Sequence, residues 1–314
     1  MRATFINTLT KMAREDDKIV CVIGDTGYSV FEDFEKEFGD RFVNVGIAEQ
    51  NFVSFGAGLA AMGMKPYLYN VVSFMTLRSM EQIVLDVCYQ NNPVVLIGVG
   101  GGFAYATAGP THHALQDIAM MSSIPNMTVV CPGDPIEMEA VMHASAHYHK
   151  PLYIRIGRSV DPVVHQSPID FRIGKAVKMK DGTEATIFVT GVMLKTAVEV
   201  QERLGKSGVS VSLYSMPTIK PMDEETVLYN ASLGKTIFTI EEHSFIGGLG
   251  DAVARVLTAH QCPCKLKKFG VQDEFVPVTG TREYLDDFFG ISTGKITEAI
   301  MREMGIKDAS DGDT

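Results

Sequence analysis

The sequence predicts an α/β protein of two domains, each built on a mainly parallel sheet. Three observations predict it. The chain has 314 residues, which at about one domain per 150 residues suggests two units. Short apolar runs alternate with longer helix-like stretches along most of its length, the pattern of βαβ units. Near the middle, Ser159–Asp170 (SVDPVVHQSPID) is polar, contains prolines and has no period, as a linker would. The expected division is a first domain over 1–160, a linker over 161–174 and a second domain over 175–314.

In the first domain, strands are expected at Lys18–Ile23, Arg41–Val45, Pro66–Val72, Val94–Val99, Met127–Cys131 and Leu152–Ile156. Most of these runs do not alternate apolar and polar residues, which predicts burial on both faces. Helical periodicity covers Glu49–Met62, Phe74–Tyr89, Thr111–Ser122 and Pro135–Tyr148. In the second domain, strands are expected at Ala185–Thr190, Val209–Tyr214, Lys235–Ile240 and Cys264–Phe269. Helices are expected there at Val192–Leu204, Asp223–Asn230, Gly248–Thr258 and Gly294–Met304. The N-terminal segment is amphipathic, with Lys11, Arg14 and Glu15, and lacks a signal-peptide core. The polar tail Lys307–Thr314 is expected to fray.

Composition narrows the function. The chain is 46% apolar and 21% charged, which excludes a disordered or fibrous protein. A net charge of −10 excludes a general attraction for nucleic acid or an anionic membrane face. Cys21, Cys88, Cys131, Cys262 and Cys264 are odd in number and scattered, so all five are expected to be reduced and the location cytoplasmic. The apolar stretch Pro93–Gly109 is crowded with glycine and reads as a buried strand and a loop, not as a membrane span.

Several motifs fail on context. Gly56–Ala61 (GAGLAA) has a dinucleotide-binding spacing but falls inside a helix pattern, where small residues are expected to let another helix approach. Gly98–Gly102 follows a strand, but Phe103 takes the place of the third glycine. It reads as a loop at a strand's carboxyl end, where open parallel sheets place their ligands. His143 and His147 have metal-ligand spacing on a helix but no third ligand.

The informative segment is Val45–Phe52 (VGIAEQNF), which sets Glu49 at a helix mouth just past a buried strand. A carboxyl there pairs with a cation, complements the helix dipole, or stays protonated with a raised pKa. Downstream come Ser73–Gln82 (SFMTLRSMEQ), Gly109–His113 (GPTHH) and Ile124–Met127 (IPNM). In this order and spacing, the four segments resemble the pyrimidine-binding domain of the transketolase family, which uses thiamine diphosphate. Ala185–Gly191, Thr239–His243 (TIEEH) and Gly247–Gly250 (GGLG) resemble that family's C-terminal domain, so the resemblance covers the chain.

The resemblance implies roles for particular residues. Glu49 matches the glutamate that hydrogen-bonds the aminopyrimidine ring nitrogen and favours the imino tautomer, whose nitrogen removes the thiazolium proton. The activated cofactor then adds to a ketose carbonyl and serves as electron sink for carbon–carbon cleavage. Phe74 matches an aromatic that stacks on the pyrimidine. Arg78 and Gln82 lie one and two turns further along the same expected helix and are candidate cofactor contacts. His112 matches the active-site histidine of the G-P-T-H motif, a hydrogen-bond donor or proton shuttle to substrate hydroxyls. Arg158 matches a substrate-phosphate arginine.

Two departures point away from the usual sugar phosphates and towards a different or bulkier ketose. Ala108 stands where the family commonly has Asp, and the glycine run around Gly100 stands where it often has a phosphate-contacting histidine. The G-D-G motif that holds the diphosphate through Mg²⁺ is also missing, since Thr26 breaks it at Gly24–Gly27 and Pro135 breaks it at Gly133–Pro135. The resemblance therefore implies the C-terminal half of a split transketolase. An N-terminal-half partner subunit would carry the diphosphate and Mg²⁺ in an α2β2-like assembly acting on sugars. Two alternatives are the β-subunit of a 2-oxo-acid dehydrogenase and a non-catalytic subunit that keeps the fold.

Overall fold

The computed structural model describes residues 1–158 and 161–306. Ser159 and Val160, at the start of the expected linker stretch, and the tail 307–314 lie outside the described residues. The strands are β1 (Ile19–Ile23), β2 (Phe42–Asn44), β3 (Lys65–Val71), β4 (Val95–Val99), β5 (Thr128–Val130), β6 (Leu152–Ile156), β7 (Val177–Lys180), β8 (Ala185–Val189), β9 (Val211–Ser215), β10 (Thr218–Lys220), β11 (Thr236–Ser244) and β12 (Leu266–Val271). The helices are α1 (Arg2–Glu15), α2 (Glu32–Phe38), α3 (Glu49–Ala61), α4 (Val72–Arg78), α5 (Met80–Gln82), α6 (Asp117–Ser123), α7 (Pro135–Ala146), α8 (Leu194–Lys206), α9 (Glu224–Ser232), α10 (Leu249–Ala259), α11 (Arg282–Phe288) and α12 (Thr293–Glu303). No helix among the described residues is long and apolar enough to cross a membrane.

Among the described residues the strands form a seven-stranded sheet, β10-β5-β6-β4-β3-β1-β2, and a five-stranded sheet, β12-β11-β8-β9-β7. All pairings are parallel except β10 with β5 and β7 with β9. Every residue of β1, β3, β4, β6 and β8 is buried, as unalternating apolar runs require. The fold is thus the expected pair of parallel-sheet α/β domains. Strand β10 was not expected. It comes from the second half of the chain, yet it completes the first sheet, where Lys220 Nζ donates to the carbonyls of Ser122 at 2.9 Å and Ile124 at 2.6 Å.

Two expected elements and one expected contact change. The helix expected over Thr111–Ser122 starts at Asp117, because Gly102 and Ala114 exchange backbone hydrogen bonds of 2.9 and 3.0 Å and hold the chain between them as a loop. The helix expected over Phe74–Tyr89 breaks at Ser79 into α4, α5 and a π-helical turn over Ile83–Tyr89. Ser79 Oγ donates to the Met75 carbonyl at 2.6 Å, a back-bond that bends helices. At Gly56, the close neighbour is a strand rather than another helix, since a Cβ there would lie 2.6 Å from the Leu68 side chain of β3.

The two domains meet through a buried polar network. Arg155 of β6 donates from Nε to Asp117 at 2.9 Å, and its NH2 group donates to the Ala114 carbonyl at 2.8 Å and the Glu242 carbonyl of β11 at 3.0 Å. Removing one member of such a buried pair typically costs about 3–5 kcal/mol, so this junction resists rearrangement. Beside it, His243 is fully buried. Its Nδ1 lies 2.9 Å from the Ser244 carbonyl, and its Nε2 lies 3.4 Å from the Ala119 N–H, contacts that suit one neutral tautomer. Burial pushes its pKa down to about 4.

That depression has a sign. A histidine harder to protonate when folded adds stability that is present above its ordinary pKa and lost as pH falls from there towards 4. Glu241, pushed up to about 7 by burial, acts in the opposite direction, so the two slopes offset in the wild type. Denaturant titrations should reveal the histidine's share by difference. Between pH 7 and 5, His243→Asn should gain roughly 2 kcal/mol relative to the wild type. Parallel pH profiles for the two proteins would contradict this assignment.

Candidate active site

Strands β2, β3, β4 and β6 are mutually parallel, so their carboxyl ends share one edge of the sheet. The sequence-predicted residues leave from those four ends: Glu49 after β2, Phe74 and Arg78 after β3, His112 after β4 and Arg158 after β6. This is where an open parallel sheet offers a ligand crevice. The turn into α3 is built by Asn44, whose Oδ1 accepts the N–H groups of Asp25 and Gly46, each at 3.0 Å. Gly46 takes a φ of +76°, a left-handed conformation that favours glycine, and the chain then enters the helix at Glu49.

Glu49 is buried in the first turn of α3, where a carboxylate complements the helix dipole. It also pairs with a cation. Arg78 donates from NH1 to Glu49 Oε1 at 2.6 Å, and its guanidinium lies 4.1 Å from the Phe74 ring centroid. The Arg78 side chain is 49% exposed. Because the arginine end is half-solvated, a bound group that returns a hydrogen bond to the buried carboxylate could displace it.

His112 meets Phe74 edge to face, with ring centroids 5.0 Å apart, and its Nδ1 lies 3.0 Å from Thr111 Oγ1. On its other side stands Tyr105, with centroids 5.5 Å apart, and Arg158 lies 4.5 Å over the Tyr105 ring. Glu49, Arg78, Phe74, His112, Tyr105 and Arg158 therefore form one continuous line of contacts. Tyr105 was missed by sequence reasoning. Its signal was faint, one of two aromatics in a run of Gly, Ala and Thr. It also accounts for the glycine at 100, where φ is +91° and a Cβ would overlap the Tyr105 ring. No void is left there, so the glycine run does not by itself make room for a bulkier substrate.

Gln82 lies past the break at Ser79, on α5, and no hydrogen bond among the described residues joins it to Glu49, Phe74 or Arg78. Its Oε1 is buried without a partner among the described residues. His113 points away from His112, buried against the Ala106 carbonyl at 2.9 Å and the Phe103 ring. Ala108 is exposed on a short 3-10 turn. The described residues hold no group of three or more metal-ligating side chains.

The donor set fits the pyrimidine end of thiamine diphosphate. A buried carboxylate faces an aromatic ring, and between them lies a planar N–H donor, the Arg78 guanidinium, which bonds to one and stacks on the other. An aminopyrimidine would use the same two surfaces. Arg78 must leave at least the ring face for it to do so.

Comparison with known proteins agrees. Residues 1–161 match the family model described as Transketolase, pyrimidine binding domain, and residues 174–296 match Transketolase, C-terminal domain. An apulose-4-phosphate transketolase subunit of Phocaeicola vulgatus is 38% identical over 88% of this chain and 88% of its own length. The 6-deoxy-6-sulfo-D-fructose transketolase subunit SqwH of Clostridium sp. strain MSTE9 is 34% identical over 95% of this chain and 92% of its own. The 1-deoxy-D-xylulose-5-phosphate synthase of Syntrophotalea carbinolica is 33% identical over 96% of this chain, which spans only 47% of that longer protein. A solved split-gene transketolase, described as an inactive beta4 tetramer, superposes with a TM-score of 0.87 at 33% identity over 98% of both chains. These matches favour transketolase over a 2-oxo-acid dehydrogenase. The chain belongs to the transketolase family, of which it comprises the pyrimidine-binding and C-terminal domains.

Proposed function

We propose that this chain is the pyrimidine-end subunit of a split, thiamine-diphosphate-dependent transketolase that moves a ketol unit from a ketose donor to an aldose acceptor. The observation that carries the proposal is the Glu49–Arg78–Phe74 arrangement, a carboxylate and an aromatic face holding a planar N–H donor between them. When bound, the cofactor supplies a carbon nucleophile and an electron sink for carbon–carbon cleavage. Glu49 would share a proton with the pyrimidine ring nitrogen, donating while that nitrogen is neutral and accepting once it is protonated. Phe74 offers a stacking surface once Arg78 has swung aside, and Arg78 remains near enough to border the ring. Gln82 is a weaker contact, two turns beyond the stacking residue only if the helix break closes.

His112, between Phe74 and Tyr105, is placed to bond or protonate a substrate hydroxyl. Arg158 is exposed, with its guanidinium carbon 4.5 Å from the Tyr105 ring centroid, and suits the anionic end of a ketose. The two subunits cited above are named for a phosphorylated and a sulfonated sugar, and both names fit an arginine at that place. The diphosphate and Mg²⁺ would be held by an N-terminal-half partner in an α2β2-like assembly, since Thr26 and Pro135 break this chain's two nearest matches to the G-D-G motif.

Calorimetry of the isolated chain with thiamine diphosphate and Mg²⁺ tests the division of labour. Little heat and weak binding are expected, because only the pyrimidine end finds a site. Tight binding to this chain alone would contradict it.

A further inference from the structure

The loop that carries Tyr105 and His112 is fastened to the C-terminal domain. Its base is closed by the Gly102–Ala114 backbone pair. There, the Phe103 N–H donates at 3.0 Å to Oε2 of Glu242, a fully buried carboxylate on β11, 139 residues away in sequence. The other oxygen, Oε1, accepts from Arg282 Nε at 2.6 Å. The approach is close enough to dictate the loop's sequence. Gly102 has a φ of +64°, and a Cβ there would overlap Glu242 Oε2. The Phe103 ring also stacks on Phe289, with centroids 5.5 Å apart and planes 18° apart. Beside the pair, burial and the charge of Glu242 push the Asp286 carboxyl up to about 9. Asp286 is then neutral at neutral pH, and Arg282 is left to balance Glu242.

A buried acceptor for one loop amide is therefore supplied by another domain, at the root of the segment that bears the candidate proton-transfer histidine. We infer that Glu242 is a positioning residue, through which the C-terminal domain holds the His112 loop in its working geometry. The inference rests on the reading of His112 given above. Displacing a reacting group by about 1 Å can cost 10²-fold in rate, which is how a residue remote from substrate would matter.

Two measurements test it. In the isolated chain, amide hydrogen exchange over 103–114 should speed up at least tenfold in Glu242→Ala, with β1 and β3 unchanged. In the assembled complex, the same variant should lower kcat at least tenfold and change the ketose KM by less than threefold. The double variant Glu242→Gln with Arg282→Met keeps a carbonyl acceptor for Phe103 and removes both charges. It should restore loop protection and most of kcat, which a merely structural ion pair would not do. Should Glu242→Ala fail to fold, Phe289→Leu loosens the same loop and should show the same exchange pattern. Unchanged exchange over 103–114, or no rescue by the double variant, overturns the inference. A wild-type complex without ketol transfer would overturn the reading of His112 instead, while the exchange result stands by itself.

Discussion

Replacing Glu49 with Gln should slow exchange of the cofactor's thiazolium proton with deuterated solvent by orders of magnitude in the assembled enzyme. The substitution keeps the size of the side chain and a hydrogen-bonding group, so the fold and cofactor binding at high concentration should survive. What it removes is a carboxylate able to hold and release a proton at the pyrimidine nitrogen. The alternative is that Glu49 merely complements the dipole of α3. In that case the neutral Gln would cost only about 0.3–1 kcal/mol of stability and leave exchange alone. The structure adds a contact beyond the helix, since Glu49 reaches across to Arg78. Quenched-flow NMR on the reconstituted complex separates the two readings.

The second large effect is expected at His112. Replacing it with Ala should slow ketol transfer by roughly 10²–10⁴-fold, the usual range for a positioned acid–base group. Cofactor binding should stay nearly intact, because His112 crosses the Phe74 ring at a steep angle and makes no hydrogen bond to Glu49 among the described residues. His113 serves as the control. It is adjacent in sequence but buried, bonded to the Ala106 carbonyl and facing away from the site. Its replacement should affect stability before turnover. Unchanged steady-state turnover in His112→Ala would remove the role given to that residue.

Much of the architecture was legible because parallel strands are buried on both faces and read as continuous apolar runs. The β4 and β6 cores needed no tertiary information. The candidate site was legible where a contiguous motif carries its residues, as at Glu49 and His112, which lie in one line of contacts in the structure. It was not legible where a contact depends on what a distant segment does. Tyr105 is one such case, since its partner Arg158 joins it only after β4 and β6 pair. Glu242 is another, being one acidic residue in a buried strand until Phe103 is brought to it. The break at Ser79 is hidden in the sequence because its cause is a single hydroxyl bonding back to Met75, which leaves the apolar periodicity of the stretch intact. Strand β10 is too short, at three residues, to show a period.

If the active site is shared, this chain brings the activating carboxylate and the stacking surface, while another chain brings the diphosphate and metal site. Ketol transfer from a ketose to an aldose, with thiamine diphosphate and Mg²⁺, should be measured for this chain alone, for an N-terminal-half transketolase subunit alone and for their equimolar mixture. Turnover is expected in the mixture and in neither chain by itself. Turnover by this chain alone at the rate of the mixture would contradict a shared site.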